Sequence, residues 1–272
     1  MLRTSINQGI RQISRNMSEI KCKRLEGRTA IVTASTDGIG FAIAKRLAQE
    51  GAKVMISSRK ESNVKKAVEQ LKSEGLSVSG VICHVGKKED REALLKKTEQ
   101  EFGGLDILVS NAGINPVATT LFETPEEVWD KIFDINVKSS FLLLKESLSL
   151  LRKSKSPSII IISSVAAYKP FTVLSAYSIS KTALLGLTQA AAATLASEGI
   201  RVNCIAPGII KTKFSQLLYE GDTGDGTLSI IPMQKFGIPN DIAAVASFLA
   251  SDDAGYVTGE TILATGGMQC RL

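Results

Sequence analysis

Tyr177 and Lys181 stand four positions apart in the stretch Tyr177-Ser178-Ile179-Ser180-Lys181. On a helix that spacing puts both side chains on one face, one turn apart. An ammonium beside a phenol favours the phenolate, so the phenol's proton leaves at lower pH than in water. A tyrosine so placed is a general acid for a carbonyl oxygen or a general base for an alcohol. Tyr-x-x-x-Lys alone is a common pattern that equally suits two polar residues on the outer side of a helix. The elements around it decide between the two.

Residues 28–33 are a short apolar run that predicts a buried strand. Ala34-Ser35-Thr36-Asp37-Gly38-Ile39-Gly40 follows, then a helical periodicity over 41–50 that Gly51 ends. Strand, glycine turn and helix in that order aim backbone N–H groups and a helix N-terminus at a pyrophosphate. A second strand over 53–58 completes a βαβ unit within about thirty residues, the span a dinucleotide fingerprint requires. The alternation continues with helices over 63–74, 89–102, 125–152, 176–197 and 239–250, and strands over 78–83, 105–109, 158–163, 201–205 and 261–264. Strands apolar on both faces, alternating with helices, predict the α/β class: a single Rossmann-type doubly wound parallel sheet with helices on both faces. With no repeat, low-complexity segment or interior linker, one domain over 25–269 is expected.

An apolar content of 44% is enough for a sizeable core. The net charge of +6 suggests a nucleic-acid partner until it is located along the chain. Arg3, Arg11, Arg15, Lys21, Lys23 and Arg24 face only Glu19 within residues 1–24, so the domain itself is near neutral and a nucleic-acid partner is not expected. Residues 1–18 have three arginines, no acid, and Ile6, Ile10 and Ile13 near helical spacing. That composition fits a mitochondrial transit peptide or a disordered basic tail, with Met17 as an alternative start. Cys22, Cys83, Cys204 and Cys270 form neither a disulfide framework nor a metal-ligand spacing, and His84 is the sole histidine. A metal site is therefore not expected, and a reducing, intracellular setting is. No apolar run approaches the roughly 18 residues of a membrane span. Residues 182–197 are uncharged and rich in alanine, which suits a helix covered partly by another subunit.

Across residues 27–267 these motifs resemble the short-chain dehydrogenase/reductase family: the glycine turn, Asn111-Ala112-Gly113 after the fourth strand, Asn136, Ser164, Tyr177, Lys181 and Pro207-Gly208. The resemblance implies that Tyr177 transfers the proton and that Lys181 lowers its pKa and holds the nicotinamide ribose. It implies that Ser164 bonds the substrate oxygen and that Asn136 holds a water linking Lys181 to solvent. Cofactor contacts are implied at Thr33, Ser35, Asp37, Gly38, Ile39 and Gly40 in the turn, and at Ser58, Arg59 and Lys60 after the second strand. Further contacts are implied at His84, Val85, Asn111, Ala112, Gly113, Tyr177, Lys181, Pro207, Gly208, Ile210 and Thr212. The chemistry agrees, because Ser164 and Tyr177 would donate where negative charge develops on a carbonyl oxygen. Two departures stand out. The family's first turn glycine is Ala34 here, which removes easy access to positive φ, so the turn is expected to use a conformation alanine tolerates. The acid common after the third strand gives way to His84-Val85, and His84 is expected on the adenine side or in packing.

A site for NAD usually ends its second strand with an acid that accepts from the ribose hydroxyls. Here Ser58 leaves room for a phosphate, and the guanidinium of Arg59 can bond it in two places, so NADP(H) is the expected cofactor. Loops over 114–123, 165–175 and 209–236 are expected to form the substrate pocket, the last including Gly221-Asp222-Thr223-Gly224-Asp225-Gly226, flexible by composition. Tyr168, Phe171, Phe214, Leu217 and Tyr219 either line that pocket or belong to core and interface. The phrases Ser57-Ser58-Arg59-Lys60, Cys83-His84-Val85-Gly86 and Arg201-Val202-Asn203-Cys204 narrow the resemblance to the family's NADP-dependent carbonyl reductases. That implies small carbonyl substrates such as aromatic ketones, α-dicarbonyls and retinal. A 3-oxoacyl or 2-enoyl thioester reductase, or a binding protein without catalysis, are the alternatives. The uncharged helix predicts a homotetramer. Cys270-Arg271-Leu272 has the form of a peroxisomal terminal signal, so the peroxisome and its import receptor are expected, with the mitochondrion as alternative.

Overall fold

The computed structural model describes residues 23–220 and 226–268. The basic tail up to residue 22, the stretch 221–225 and the terminal tripeptide lie outside the described residues. Among the described residues there are seven strands: β1 Thr29–Val32, β2 Lys53–Ser58, β3 Val78–Ile82, β4 Ile107–Ser110, β5 Ser158–Ile162, β6 Arg201–Pro207 and β7 Thr261–Ala264. They form one sheet in the order β3-β2-β1-β4-β5-β6-β7, every pair parallel. Strands β1, β4, β5 and β6 are buried at every residue, and β1, β4 and β5 accordingly read as nearly continuous apolar runs.

The helices lying wholly within the described residues are α1 Gly38–Gln49, α2 Glu61–Ser73, α3 Lys88–Phe102, α4 Glu126–Phe133, α5 Ser139–Leu151, α6 Ser175–Leu195, the short α7 Gln216–Tyr219, and α8 Pro239–Ala250. Alternate residues of each strand point to opposite faces, and the two cores divide accordingly. Ala30, Val32, Ile107 and Val109 pack with Ile43 and Leu47 of α1, Leu71 of α2 and Ile242 and Leu249 of α8. Ile31, Leu108, Ile159 and Ile161 pack with Leu94 of α3, Leu143 of α5 and Leu184 and Leu195 of α6. The strand order reverses between β1 and β4, so the connections leave their C-terminal ends in opposite directions and open a crevice there.

One expected element divides. The helix predicted over 125–152 is interrupted by a π turn, Asp134–Lys138, between α4 and α5. A π turn inserts an extra residue into the helical ladder, and such insertions concentrate at functional sites. Asn136 lies inside this one. Helix α1 also begins three residues earlier than its periodicity suggested, because Asp37 caps it, accepting from the Gly38 N–H at 2.8 Å. Among the described residues no helix is long and apolar enough to cross a membrane.

Candidate active site

The turn after β1 is held from within. The buried Thr33 hydroxyl accepts from the Asn111 and Ala112 N–H groups at 3.0 and 3.2 Å. Asn111 Nδ2 returns bonds to the carbonyls of Thr33 and Ala34 at 2.9 and 3.2 Å. The Ser35 hydroxyl donates to the Val32 carbonyl at 2.5 Å and accepts from the Ser57 N–H at 3.0 Å. The side chains of Thr33, Ser35 and Asn111 therefore shape the turn and join it to β2 and β4. A Cβ on Gly40 would stand 2.5 Å from both Ala34 O and Asn111 Nδ2, so only glycine lets α1 start this close to the turn. The outcome at Ala34 differs from expectation: its φ is +49°, in the left-handed region. The bonds that aim its carbonyl at Asn111 hold it there at a cost of about 1–2 kcal/mol. Ala34→Gly is accordingly expected to raise stability by about 0.5–1 kcal/mol, strain relief outweighing glycine's extra chain entropy. A lowered urea midpoint in that variant would mean alanine sits there unstrained.

The first turns of α6 carry Tyr177 and Lys181, both buried. Ser164, directly after β5, caps the turn Val165–Ala167, accepting from the Ala166 N–H at 3.1 Å. Its hydroxyl also bonds the Tyr177 phenol. Lys181 Nζ donates to the Ile162 carbonyl at 2.9 Å and lies 5.6 Å from the centre of the Tyr177 ring. The expected lowering of the tyrosine's pKa is not found. Burial pushes the phenol up to about 12, against the opposing pull of the Ser164 bond. Burial also brings the Lys181 ammonium down to about 8. The ammonium is directed at a β5 carbonyl and not at the phenol oxygen, which is why it does not offset desolvation. Tyr177 thus holds its proton at neutral pH.

Asn136 is fully buried in the π turn. Its Oδ1 accepts from the Ile114 N–H at 2.8 Å, and its Nδ2 donates to the Ile114 carbonyl at 3.0 Å and to Ser180 Oγ at 2.9 Å. Ser180 in turn donates to the Tyr177 carbonyl at 2.7 Å. Asn136 thereby ties the loop after β4 to the helix that carries the tyrosine. A Cβ on Gly113 would meet Lys181 Nζ at 3.1 Å and Asn136 Oδ1 at 3.6 Å, so these three residues share one corner of the site.

Two adjoining cavities run along the C-terminal ends of the strands. One, of about 600 Å³, is lined by Gly38, Ile39 and Gly40, by Ser164, Tyr177 and Lys181, and by Pro207, Gly208, Ile210 and Thr212. Its outer wall is apolar, with Val117, Phe171, Leu174, Phe214 and Leu217 drawn from the three expected loops. The other, of about 630 Å³, is lined by Thr36, Ser58, Arg59, His84, Val85, Ala112 and Arg91. Ala34, Asp37 and Gly113 border both. Tyr168 and Tyr219 stand outside these walls, and Tyr219 packs instead on Phe236 with ring centres 6.0 Å apart. Lys60 also stands outside, before the start of α2. Phe214 lies 5.7 Å from the Tyr177 ring.

Four site residues were not foreseen: Thr36, Ser180, Arg91 and Lys213. Lys213 Nζ meets Asp37 Oδ2 at 2.7 Å, linking the loop after β6 to the glycine turn. Arg91 is buried, with Nε and Nη2 on the Glu146 carboxylate, each at 2.8 Å. Their partners lie 176 and 55 positions away, so no local pattern could announce them.

The family model described as enoyl-(acyl carrier protein) reductase matches residues 33–269. Dehydrogenase/reductase SDR family member 4 of Bos taurus is 52% identical over 244 residues, 89% of this chain and 88% of that protein. Dehydrogenase/reductase SDR family member 2, mitochondrial, of Homo sapiens is 49% identical over 89% of this chain and 86% of its own. The crystal structure of gox2181 superposes with a TM-score of 0.87 at 32% identity, covering 90% of this chain and 97% of that one. The chain belongs to the short-chain dehydrogenase/reductase family, oxidoreductases acting on CH–OH and C=O groups.

Proposed function

We propose that this chain is an NADPH-dependent carbonyl reductase, converting ketones and aldehydes, among them aromatic ketones, α-dicarbonyls and retinal, to alcohols. The observation that carries the reading is the Ser164–Tyr177 hydroxyl pair set in an apolar-walled cavity, the phenol holding its proton at neutral pH. The cleft suits a nicotinamide dinucleotide: Gly38 and Gly40 line it without side chains, the N-terminus of α1 faces the space, and Arg59 borders its far end. When bound, NADPH supplies a hydride. The rest falls to the chain. Ser164 and Tyr177 donate to the carbonyl oxygen as its negative charge grows, and Tyr177 gives up its proton to it. Lys181, anchored on the Ile162 carbonyl, would hold the nicotinamide ribose. Asn136 keeps α6 in place and would hold a water through which Lys181 communicates with solvent. Phe171, Phe214 and Leu217 would give the substrate an apolar wall. Ser58 and Arg59 would take the 2′-phosphate.

The description of the matching family model favours a second reading, reduction of an enoyl thioester. NADPH oxidation measured against an aromatic ketone, an α-dicarbonyl, retinal, a 3-oxoacyl and a 2-enoyl thioester separates the two. Carbonyl turnover is expected; turnover of the thioesters alone would move the assignment, and none at all would leave a binding protein.

The assembly follows from α6. Its outward positions Thr182, Gly186, Gln189, Ala190 and Ala193 are small or uncharged, and Phe141 of α5 and Ile179 of α6 are exposed large apolar side chains. Such a face suits close helix contact between copies, and a tetramer is expected; a monomeric mass by light scattering at micromolar concentration would refute it. The tripeptide Cys270-Arg271-Leu272 supports a peroxisomal address and its import receptor, and the mitochondrial relative supports the alternative. A tag placed after Leu272 is expected to abolish peroxisomal import, and unchanged import would remove the basis for that address.

A further inference from the structure

We infer that the fold locks His84 in one tautomer and presents its Nε2–H as a hydrogen-bond donor to the base of the cofactor. The inference rests on the reading of the cleft as an NADPH site.

The loop between β3 and α3 forms one wall of the larger cavity. Its backbone groups are almost all committed. The Cys83 N–H donates to the Ser58 carbonyl at 3.0 Å, the His84 N–H to Asp90 Oδ2 at 2.8 Å, and the Lys87 N–H to the His84 carbonyl at 2.8 Å. The Val85 carbonyl accepts from Arg91 Nη1 at 2.8 Å, and Arg91 is itself clamped by Glu146. The remaining bond decides the chemistry: the Gly86 N–H donates to His84 Nδ1 at 3.2 Å.

A backbone N–H can only donate, so Nδ1 must offer a lone pair. A neutral imidazole with its lone pair on Nδ1 carries its proton on Nε2. The ring packs close on the loop: a Cβ on Gly86 would stand 3.1 Å from His84 Cε1 and 3.2 Å from its Nδ1. With Nδ1 turned to the loop, Nε2 is left to the cavity, and among the described residues no protein group takes its proton. Ser58 and Arg59 line the same cavity, which places His84 at the end remote from Tyr177. The part of a dinucleotide that reaches there and offers acceptors in a flat ring is the adenine, through its ring nitrogens. A carboxylate in this position would accept from the amino group of the base. His84 reverses that polarity.

The chain has a single histidine, so two-bond ¹⁵N–¹H spectra of the imidazole report this ring alone. At neutral pH the cofactor-free protein is expected to show Nε2 protonated and Nδ1 bare, and added NADPH to shift Nε2 while leaving Nδ1 in place. Two substitutions divide the ring's functions. His84→Asn keeps an acceptor near the Gly86 N–H and removes the reaching donor; His84→Gln keeps a donor near the Nε2 position and gives up the loop bond. NADPH dissociation constants from calorimetry are expected to rise about five- to ten-fold for His84→Asn, the worth of one neutral hydrogen bond, and to change little for His84→Gln. A proton on Nδ1, an unchanged constant for His84→Asn, or an equal loss in both variants would overturn the inference. Failure of the wild-type chain to bind NADPH would instead overturn the reading of the cleft, and this inference with it.

Discussion

Tyr177→Phe is expected to fold and to bind NADPH as the wild type does, while carbonyl reduction falls by about 10²–10⁴, the usual worth of a positioned proton donor. The phenyl ring fills the same buried space against Phe214, so no cavity opens. Ser164 keeps its bond from the Ala166 N–H and still donates to the carbonyl oxygen, but its hydroxyl is too weak an acid to complete the transfer. Thermal melts, NADPH titration and turnover with one ketone read the three quantities separately. The pH profile adds a further check. Tyr177, protonated up to about 12, contributes no falling limb in the neutral range. Lys181, brought down to about 8 by burial, loses a donor proton and its charge as pH rises through that value, which weakens its hold on the nicotinamide ribose. The kcat/KM for reduction is therefore expected to decline above about pH 8. Near-normal turnover in Tyr177→Phe would sink the mechanism, whatever the profile.

Much of this arrangement is legible in the chain itself, for reasons that differ from part to part. Strands such as Ser158–Ile162 announce themselves because both faces of the sheet are covered, and no polar residue interrupts the run. The Tyr177–Lys181 pair is visible because its geometry is local to one helix turn. What stays hidden depends on partners distant in sequence. The π turn at Asp134–Lys138 follows from Asn136 bonding Ile114 and Ser180, and the plain helical periodicity over 125–152 carries no trace of it. Ala34 takes a left-handed φ with its carbonyl held by Asn111, 77 positions away after the neighbouring strand. The raised pKa of Tyr177 is a property of burial, which spacing to Lys181 cannot reveal. Local pattern foretold which residues meet. Tertiary environment sets what their protons do.

The same division governs the choice of cofactor, where one short segment is expected to hold the answer. Ser58→Asp combined with Arg59→Asn should lower the NADPH to NADH ratio of kcat/KM by about two orders of magnitude. Two effects add. The guanidinium that borders the adenosine-side cavity is gone, and a hydrogen bond to a charged group is commonly worth about 1.5–3 kcal/mol. A carboxylate now stands where the 2′-phosphate would lie, repelling it and offering an acceptor to the two ribose hydroxyls of NADH. The backbone is untouched, because the Ser58 carbonyl accepts from the Cys83 N–H whatever side chain it bears, and the register of β2 on β3 stays as it is. The catalytic pair sits in the neighbouring cavity and should keep its competence, so NADH efficiency is expected to rise in absolute terms. That rise separates a change of preference from simple damage. A ratio that does not move would mean that the phosphate is held elsewhere, with Lys87 on the same cavity wall the next residue to replace.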